Sequence, residues 1–272
     1  MAPKAVETSN LVRRFGDFVA VDDLNLTVQR GSFFGFLGPN GAGKSTTIKM
    51  LTGLLASTSG SMRVLGRDLA TEPLEVKRRI GVVPEDLNLF ERLTGAEMLA
   101  LTGRMYGLQK TEIAERSPEL LELMELRSGP RKLIVEYSHG MKKKLSLACA
   151  LIHRPEILFL DEPFEGVDAI ASRTLKDLLS RLTARGLTVF LTSHVLEIVE
   201  RLCSDIAIIS QGKLLAAGSL DELRKGIRVE DDGQQKGLSG QYAGPISLEE
   251  YFIHVVGGTR ATGEEEVLQW LG

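Results

Sequence analysis

The stretch FFGFLGPNGAGKSTTIKMLTGLL, residues 33–55, decides how the rest of this chain is read. It opens on a continuous apolar run, 33–37, closed by Gly38 and Pro39, the pattern of a strand buried on both faces of a parallel sheet. It ends with Ile48, Leu51 and Leu55 at i, i+3 and i+7, the apolar stripe of an amphipathic helix. Between the two, Gly38, Pro39, Asn40, Gly41, Ala42, Gly43, Lys44, Ser45 and Thr46 satisfy G-x-x-x-x-G-K-[ST]. The order has a mechanical reason. Glycines let backbone N–H groups curl around phosphate oxygens, and the helix N-terminus adds its positive dipole. Lys44 reaches the β- and γ-phosphates, and the Ser45 hydroxyl ligates Mg²⁺.

Outward from that loop, apolar runs of strand length recur at ILFL (157–160), TVFLT (188–192) and IAIIS (206–210). Helical spacings lie between them, such as Leu175, Leu178 or Leu179, and Leu182. Alternating strands and helices predict an α/β fold whose core is a mainly parallel P-loop (RecA-like) sheet. VAVDDLNLTV (19–28) partly alternates and GSMRVLG (60–66) is short and glycine-bounded, so an antiparallel edge sheet is expected there. Residues 91–150 differ, with three helical patterns and no strand signal. Thr94 and Glu97 make a T-x-x-E capping box, EIAERSPELLELMEL carries the second helix, and the third begins near Ser138. An all-helical insertion in an α/β core reads as a lobe. The expected division is a nucleotide-binding core over 1–90 and 151–225, a helical lobe over 91–150, and a linker with a helical tail over 226–272. In that tail 226–245 is polar and glycine-rich, and Ser247 and Glu250 cap a helix from SLEEYFIHVVG.

A net charge of −3 gives no footprint for a nucleic-acid partner. Cys149 and Cys203 both lie in apolar helical contexts and read as buried, reduced thiols. The N-terminus lacks the apolar core of a secretion signal, and no apolar run reaches the ~18 residues that span a bilayer. The chain is therefore expected to stay on the cytoplasmic side.

Asp161 follows the ILFL run, at the carboxyl end of a strand, where open α/β sheets place ligands and where a Mg²⁺ partner is needed. Glu162 beside it is a candidate to orient or deprotonate an attacking water. His194, ending the TSH triplet after another buried strand, would lie on the same sheet edge within reach of a γ-phosphate. Ser138 and His139 invite a second reading, as nucleophile and base. Adjacent residues at one helix start make a poor pair, however, and no third group orients the imidazole. Ser138 is better placed as an N-cap whose exposed first turn binds an anion.

GPNGAGKST, YSHGMKKKLSLACALIHRPEILFLDEP, GVD and TSH, in this order and spacing, resemble the ATP-binding cassette (ABC) ATPases from about residue 5 to residue 225. That resemblance implies ATP hydrolysis by a head-to-tail dimer, homo- or heteromeric. Each nucleotide then lies between one subunit's phosphate loop and the other's signature stretch. The usual signature, L-S-G-G-Q, corresponds to Tyr137, Ser138, His139, Gly140 and Met141, so His139 and Met141 depart from it. By the same carry-over Glu162 is the catalytic carboxylate, His194 the switch histidine and Asp168 the link across the dimer. Phe15 takes the place of the aromatic that stacks on adenine. Glu85 stands where a Gln usually reaches Mg²⁺, so the metal set is Ser45, Asp161 and Glu85. VVPEDLNLFERLTGAEMLALTGRMYGL and the C-terminal SLEEYFIHVVG resemble the exporter subfamily, whose permease is a separate transmembrane chain. A place on the inner face of the cell membrane follows. Two other readings fit less of the sequence. A soluble ABC protein without a membrane partner would usually carry tandem cassettes or a coiled-coil insertion, and a small-molecule kinase leaves the signature stretch unexplained.

Overall fold

Stretch 33–37 becomes a strand buried along its whole length, as an apolar run without polar alternation must when both sheet faces are covered. In the computed structural model, which describes residues 3–126, 132–224 and 247–257, the chain begins with β1 (Lys4–Phe15), β2 (Phe18–Gln29) and β3 (Phe33–Leu37). There follow α1 (Lys44–Leu51), β4 (Ser59–Val64), β5 (Arg67–Asp68), α2 (Pro73–Lys77) and β6 (Ile80–Val83). Three helices come next, α3 (Gly95–Met105), α4 (Lys110–Leu123) and α5 (His139–Leu151). The chain then alternates through β7 (Ile157–Asp161), α6 (Ala169–Ala184), β8 (Thr188–Ser193), α7 (Leu196–Leu202) and β9 (Asp205–Ser210). It closes with β10 (Lys213–Ser219), α8 (Leu220–Arg224) and α9 (Leu248–Gly257).

A six-stranded sheet runs β10-β9-β3-β8-β7-β6, parallel except for β10, and an antiparallel sheet runs β2-β1-β4-β5. Alternate residues of the parallel strands feed two cores. Phe34, Phe36, Phe159 and Phe190 face the side carrying α1 and the antiparallel sheet, with the other three rings around Phe190. Leu37, Leu158, Leu160 and Leu191 face the opposite side, with α5, α6, α7 and α9. The α/β class, the antiparallel edge sheet and the helical insertion all match expectation.

Helix starts follow the side chains named in the sequence. Thr94 accepts from Glu97 N at 3.2 Å while Glu97 Oε2 accepts from Thr94 N at 2.8 Å. Ser247 and Glu250 repeat this reciprocal cap. The tail helix packs back: Leu248, Tyr251 and Val255 are buried in the second core. Residues 225–246, which hold the expected linker, and 258–272 lie outside the described residues.

Two strands depart from the sequence reading. Residues 80–83 carry no strand pattern singled out above, yet they pair in register with β7, and the loop that holds Glu85 starts only at Pro84. β10, also unpredicted, pairs with β9 at the other margin. Both are edge strands with one neighbour and interrupted apolar runs, so their periodicity is weak. The second lobe helix starts and stops two to three residues earlier than EIAERSPELLELMEL suggested. In the third helix Lys143 and Lys144 are buried.

Candidate active site

The phosphate loop leaves β3 at the centre of the six-stranded sheet and enters α1. Gly43 caps that helix at φ 107°, and a Cβ there would lie 2.5 Å from the Ala20 carbonyl oxygen. At Gly38 a Cβ would lie 2.3 Å from the Ile209 carbonyl oxygen. Neither position has room for a side chain, and the Gly43 φ is one that glycine adopts without strain, so the loop can turn tightly into the helix N-terminus.

Strand register assembles the rest. Asp161 at the end of β7 is paired with Thr192 of β8, and Leu37 with Ser193, so three strand ends meet at one edge. Thr192 is fully buried. Its hydroxyl donates to Asp161 Oδ1 at 2.6 Å and accepts from Glu162 N at 3.1 Å. Ser45 Oγ donates to the same Asp161 oxygen at 3.2 Å. A hydroxyl and a carboxylate meeting beside a phosphate loop form an oxygen donor set of the kind a hard divalent cation takes.

Glu162 has φ 45°, the left-handed region, which for a residue with a side chain is unfavourable by about 1–2 kcal/mol. Five ties hold it there. Its N–H goes to Thr192, and its carbonyl accepts from Lys143 Nζ at 3.0 Å and from Glu165 N at 3.2 Å. Oε2 lies 3.1 Å from His194 Nδ1. Oε1 lies 3.3 Å from Lys44 Nζ, an ionic contact without hydrogen-bond alignment, and is buried with no hydrogen bond. Strain held this firmly is characteristic of functional positions. Lys44 Nζ also donates to the Gly38 carbonyl at 2.8 Å and the Pro39 carbonyl at 3.3 Å.

Residues 40–46, Glu85, Glu162 and His194 line one cavity of about 370 Å³. Three residues that the sequence reading did not single out line it too: Phe18, Ala20 and Glu165. Phe15 faces Phe18 across the hairpin that joins β1 to β2, but only Phe18 lines the cavity, while Phe15 stacks under the Arg13 guanidinium at 4.4 Å. The signature residues lie apart from it: Ser138, His139, Gly140 and Met141 are not in its wall. Ser138 Oγ accepts from Met141 N at 3.2 Å and so caps α5. His139 packs over Gly166 and lines a second cavity with Glu85, Glu91 and Lys142. Asp168 caps α6 by accepting from Ile170 N and Ala171 N. A larger cavity, about 710 Å³, opens near Arg30, Arg116, Leu151 and Thr188, at the opposite edge of the sheet, and is lined by none of the candidate site residues.

The thiols are buried and unpaired. Burial pushes Cys149 up to about 11 against a hydrogen bond from Thr102, and raises Cys203 as well with help from Asp205, so neither is a reactive thiolate.

The profile of the ABC transporter family matches residues 21–165. The bacitracin transport ATP-binding protein BcrA of Bacillus licheniformis is 38% identical over 251 residues, 92% of this chain and 80% of its own. The daunorubicin/doxorubicin resistance ATP-binding protein DrrA of Streptomyces peucetius is 40% identical over 224 residues, 82% of this chain and 68% of its own. Among solved structures, an ATP-binding subunit of an ABC transporter superposes with a TM-score of 0.80 at 32% identity, covering 92% of this chain and 99% of that one. The cassette MJ0796, a dimer in a post-hydrolysis state with ADP and Pi, shares the fold at a TM-score of 0.73 and 24% identity, over 79% of this chain and 98% of that one.

Proposed function

The chain belongs to the ABC transporter family and is an ATPase subunit of the exporter type, and from that premise we propose that two copies, or this chain and a close relative, close head to tail around two Mg-ATP to drive a separate membrane permease. The observation that carries the proposal is the separation within one chain of two halves of a phosphate site. The cavity holds the phosphate loop with Glu162 and His194, while the capped N-terminus of α5 presents Ser138 outside it. A helix N-terminus set outside its own chain's cavity is placed to complete an anion site for another subunit's nucleotide.

In each composite site the loop from Gly38 to Thr46 cradles the phosphates and Lys44 supplies positive charge to the β- and γ-oxygens. Ser45 and Asp161 would hold Mg²⁺, with Glu85 on the same cavity wall, and the bound ion supplies charge neutralisation for the phosphates. Glu162 takes the proton of the attacking water. The bond from that water's oxygen to the γ-phosphorus forms as the bond to the β–γ bridging oxygen breaks, leaving ADP and phosphate. His194, 3.1 Å from Glu162 Oε2, orients the carboxylate. Phe15, with Phe18 beside it, offers an aromatic face to adenine, and Asp168 links the two sites.

Residues 1–90 with 151–225 serve as the nucleotide-binding core, 91–150 as the lobe carrying the signature, and 226–272 as an appended tail. Among the described residues no helix is long and apolar enough to cross a membrane. The transport ATP-binding relatives support a subunit that works from the cytoplasmic face, docked on its permease. Relatives named for bacitracin transport and for daunorubicin resistance support a drug-like cargo. Glu162→Gln should bind ATP with affinity near that of the parent and lose steady-state phosphate release, keeping only a slow residual cleavage measurable in a single turnover. Turnover at the parental rate by that variant refutes the role given to Glu162.

A further inference from the structure

Lys143 has no part in the function described so far, yet it is one of the least exposed charged side chains in the molecule, at 3%. It sits on the second turn of α5, five residues beyond the Ser138 cap, and donates to the carbonyl of Glu162 at 3.0 Å. A buried lysine is normally paired, because an ammonium loses far more hydration than one neutral hydrogen bond returns. Its surroundings are acidic on three elements. Asp161 and Glu162 come from the end of β7, Glu165 from the turn after it, and Glu85 from the loop after β6, and all four attract its charge. Burial nevertheless dominates and lowers its pKa. No carboxylate forms a salt bridge with it among the described residues, so its one hydrogen bond goes to the backbone of Glu162.

We propose that Lys143 is a positioning residue for the reaction: its ammonium pins the left-handed backbone of Glu162 and offsets the negative charge that four carboxylates bring to the phosphate site. The inference rests on the catalytic role given to Glu162 above. The geometry makes the pin specific. Thr192 holds the Glu162 N–H from β8, and Lys143 holds its carbonyl from α5 beside the local turn bond from Glu165 N, so the strained residue is gripped on both sides by different elements. The grip from α5 also ties the carboxylate to the helix whose first residues meet the other subunit's nucleotide. A shift of that helix moves the Glu162 carbonyl, and with it the carboxylate. Lys44 and Lys143 are the two buried ammonium groups that bracket Glu162, one at its side chain and one at its backbone.

The test is steady-state and single-turnover hydrolysis by Lys143→Met, which keeps the length of the side chain and removes both charge and donor. Expected is a fall in kcat of about 30-fold, which corresponds to about 2 kcal/mol at 1.36 kcal/mol per tenfold, with KM for ATP changed less than about twofold. In a Glu162→Gln background the same substitution should reduce the single-turnover rate by less than about twofold, because a residue acting through Glu162 has nothing left to position. Parental kcat overturns the proposal. So does a loss carried by ATP affinity, or an equal loss in both backgrounds. Should Lys143→Met not fold, as judged by circular dichroism, Lys143→Gln is read by the same three criteria. If Glu162→Gln itself turns over normally, it is the role of Glu162 that fails, and the two failures are thus distinct.

Discussion

Replacing Thr192 by Val changes almost nothing in shape and removes one hydroxyl that serves both the Asp161 carboxylate and the Glu162 backbone. In the folded protein that hydroxyl donates to Asp161 Oδ1 at 2.6 Å and accepts from Glu162 N at 3.1 Å, in a position with no exposure to water. Loss of a hydrogen bond to a charged group is unfavourable by about 1.5–3 kcal/mol, and the orphaned, buried Glu162 N–H adds about 1–3 kcal/mol. Together the change should destabilise by about 3–5 kcal/mol, a large fraction of the ~5–15 kcal/mol that holds an ordinary domain together. Thr192→Ser keeps the hydroxyl and loses one methyl, which is worth about 1 kcal/mol. Urea unfolding followed by far-UV circular dichroism compares the two variants directly. Phosphate release then reports the site: with Glu162 freed from its strained backbone, Val should lower kcat more than about tenfold at nearly unchanged KM, and Ser by only a small factor. Equal stability of the Val and Ser variants would refute the reasoning, since it would mean that the hydroxyl bonds add nothing at this position.

Two further outcomes test other parts of the structure. His153 stacks on Tyr106 at 3.6 Å between ring centroids and places Nε2 2.8 Å from the Ile80 carbonyl, so Nε2 carries the proton and the buried Nδ1 has no partner. Burial lowers its pKa from 6.5, against the carbonyl's pull. The unfolded chain then binds the proton first, so stability is flat above about pH 7 and declines as pH falls below 6.5. His153→Gln should flatten that decline in urea midpoints taken between about pH 7.5 and 5.5, and parallel slopes would count against it. For the composite site, Ser138→Arg should bind ATP without hydrolysing it. Mixed with the inactive Glu162→Gln chain, it should recover at most about a quarter of parental activity, because random pairing in a twofold dimer leaves one intact site in half the dimers. A mixture as inactive as its components argues against hydrolysis at a shared site.

Much of the fold was legible in local patterns. The phosphate loop lay between a continuous apolar run and a 3.6-residue stripe, and both became the elements those periods require. Capping side chains at Thr94, Ser138 and Ser247 marked helix starts within a residue, because a cap is a local bond between positions three apart. Edge strands were harder. Residues 80–83 are short and contain Gly81, which has the Ala150 carbonyl where a Cβ would stand, and their strand character comes from β7 alongside rather than from their own pattern.

By itself the sequence determined the class of the fold, the loop built for phosphate, and the carboxylates that end a buried strand. Each of these is written in residues adjacent along the chain, where periodicity, glycine spacing and capping act. Tertiary structure alone decided which groups orient that chemistry. Thr192 reaches Asp161 because β7 and β8 pair in one register, and Phe18 reaches the cavity because the hairpin of β1 and β2 folds over it. Lys143, which reads as one of three basic residues in a row, is turned inward onto Glu162 by the packing of α5 on the sheet. Such contacts join positions 19 to 31 residues apart, and no local rule encodes them. Only burial of the same apolar faces, which sets strand order and helix rotation together, brings those side chains within bonding distance.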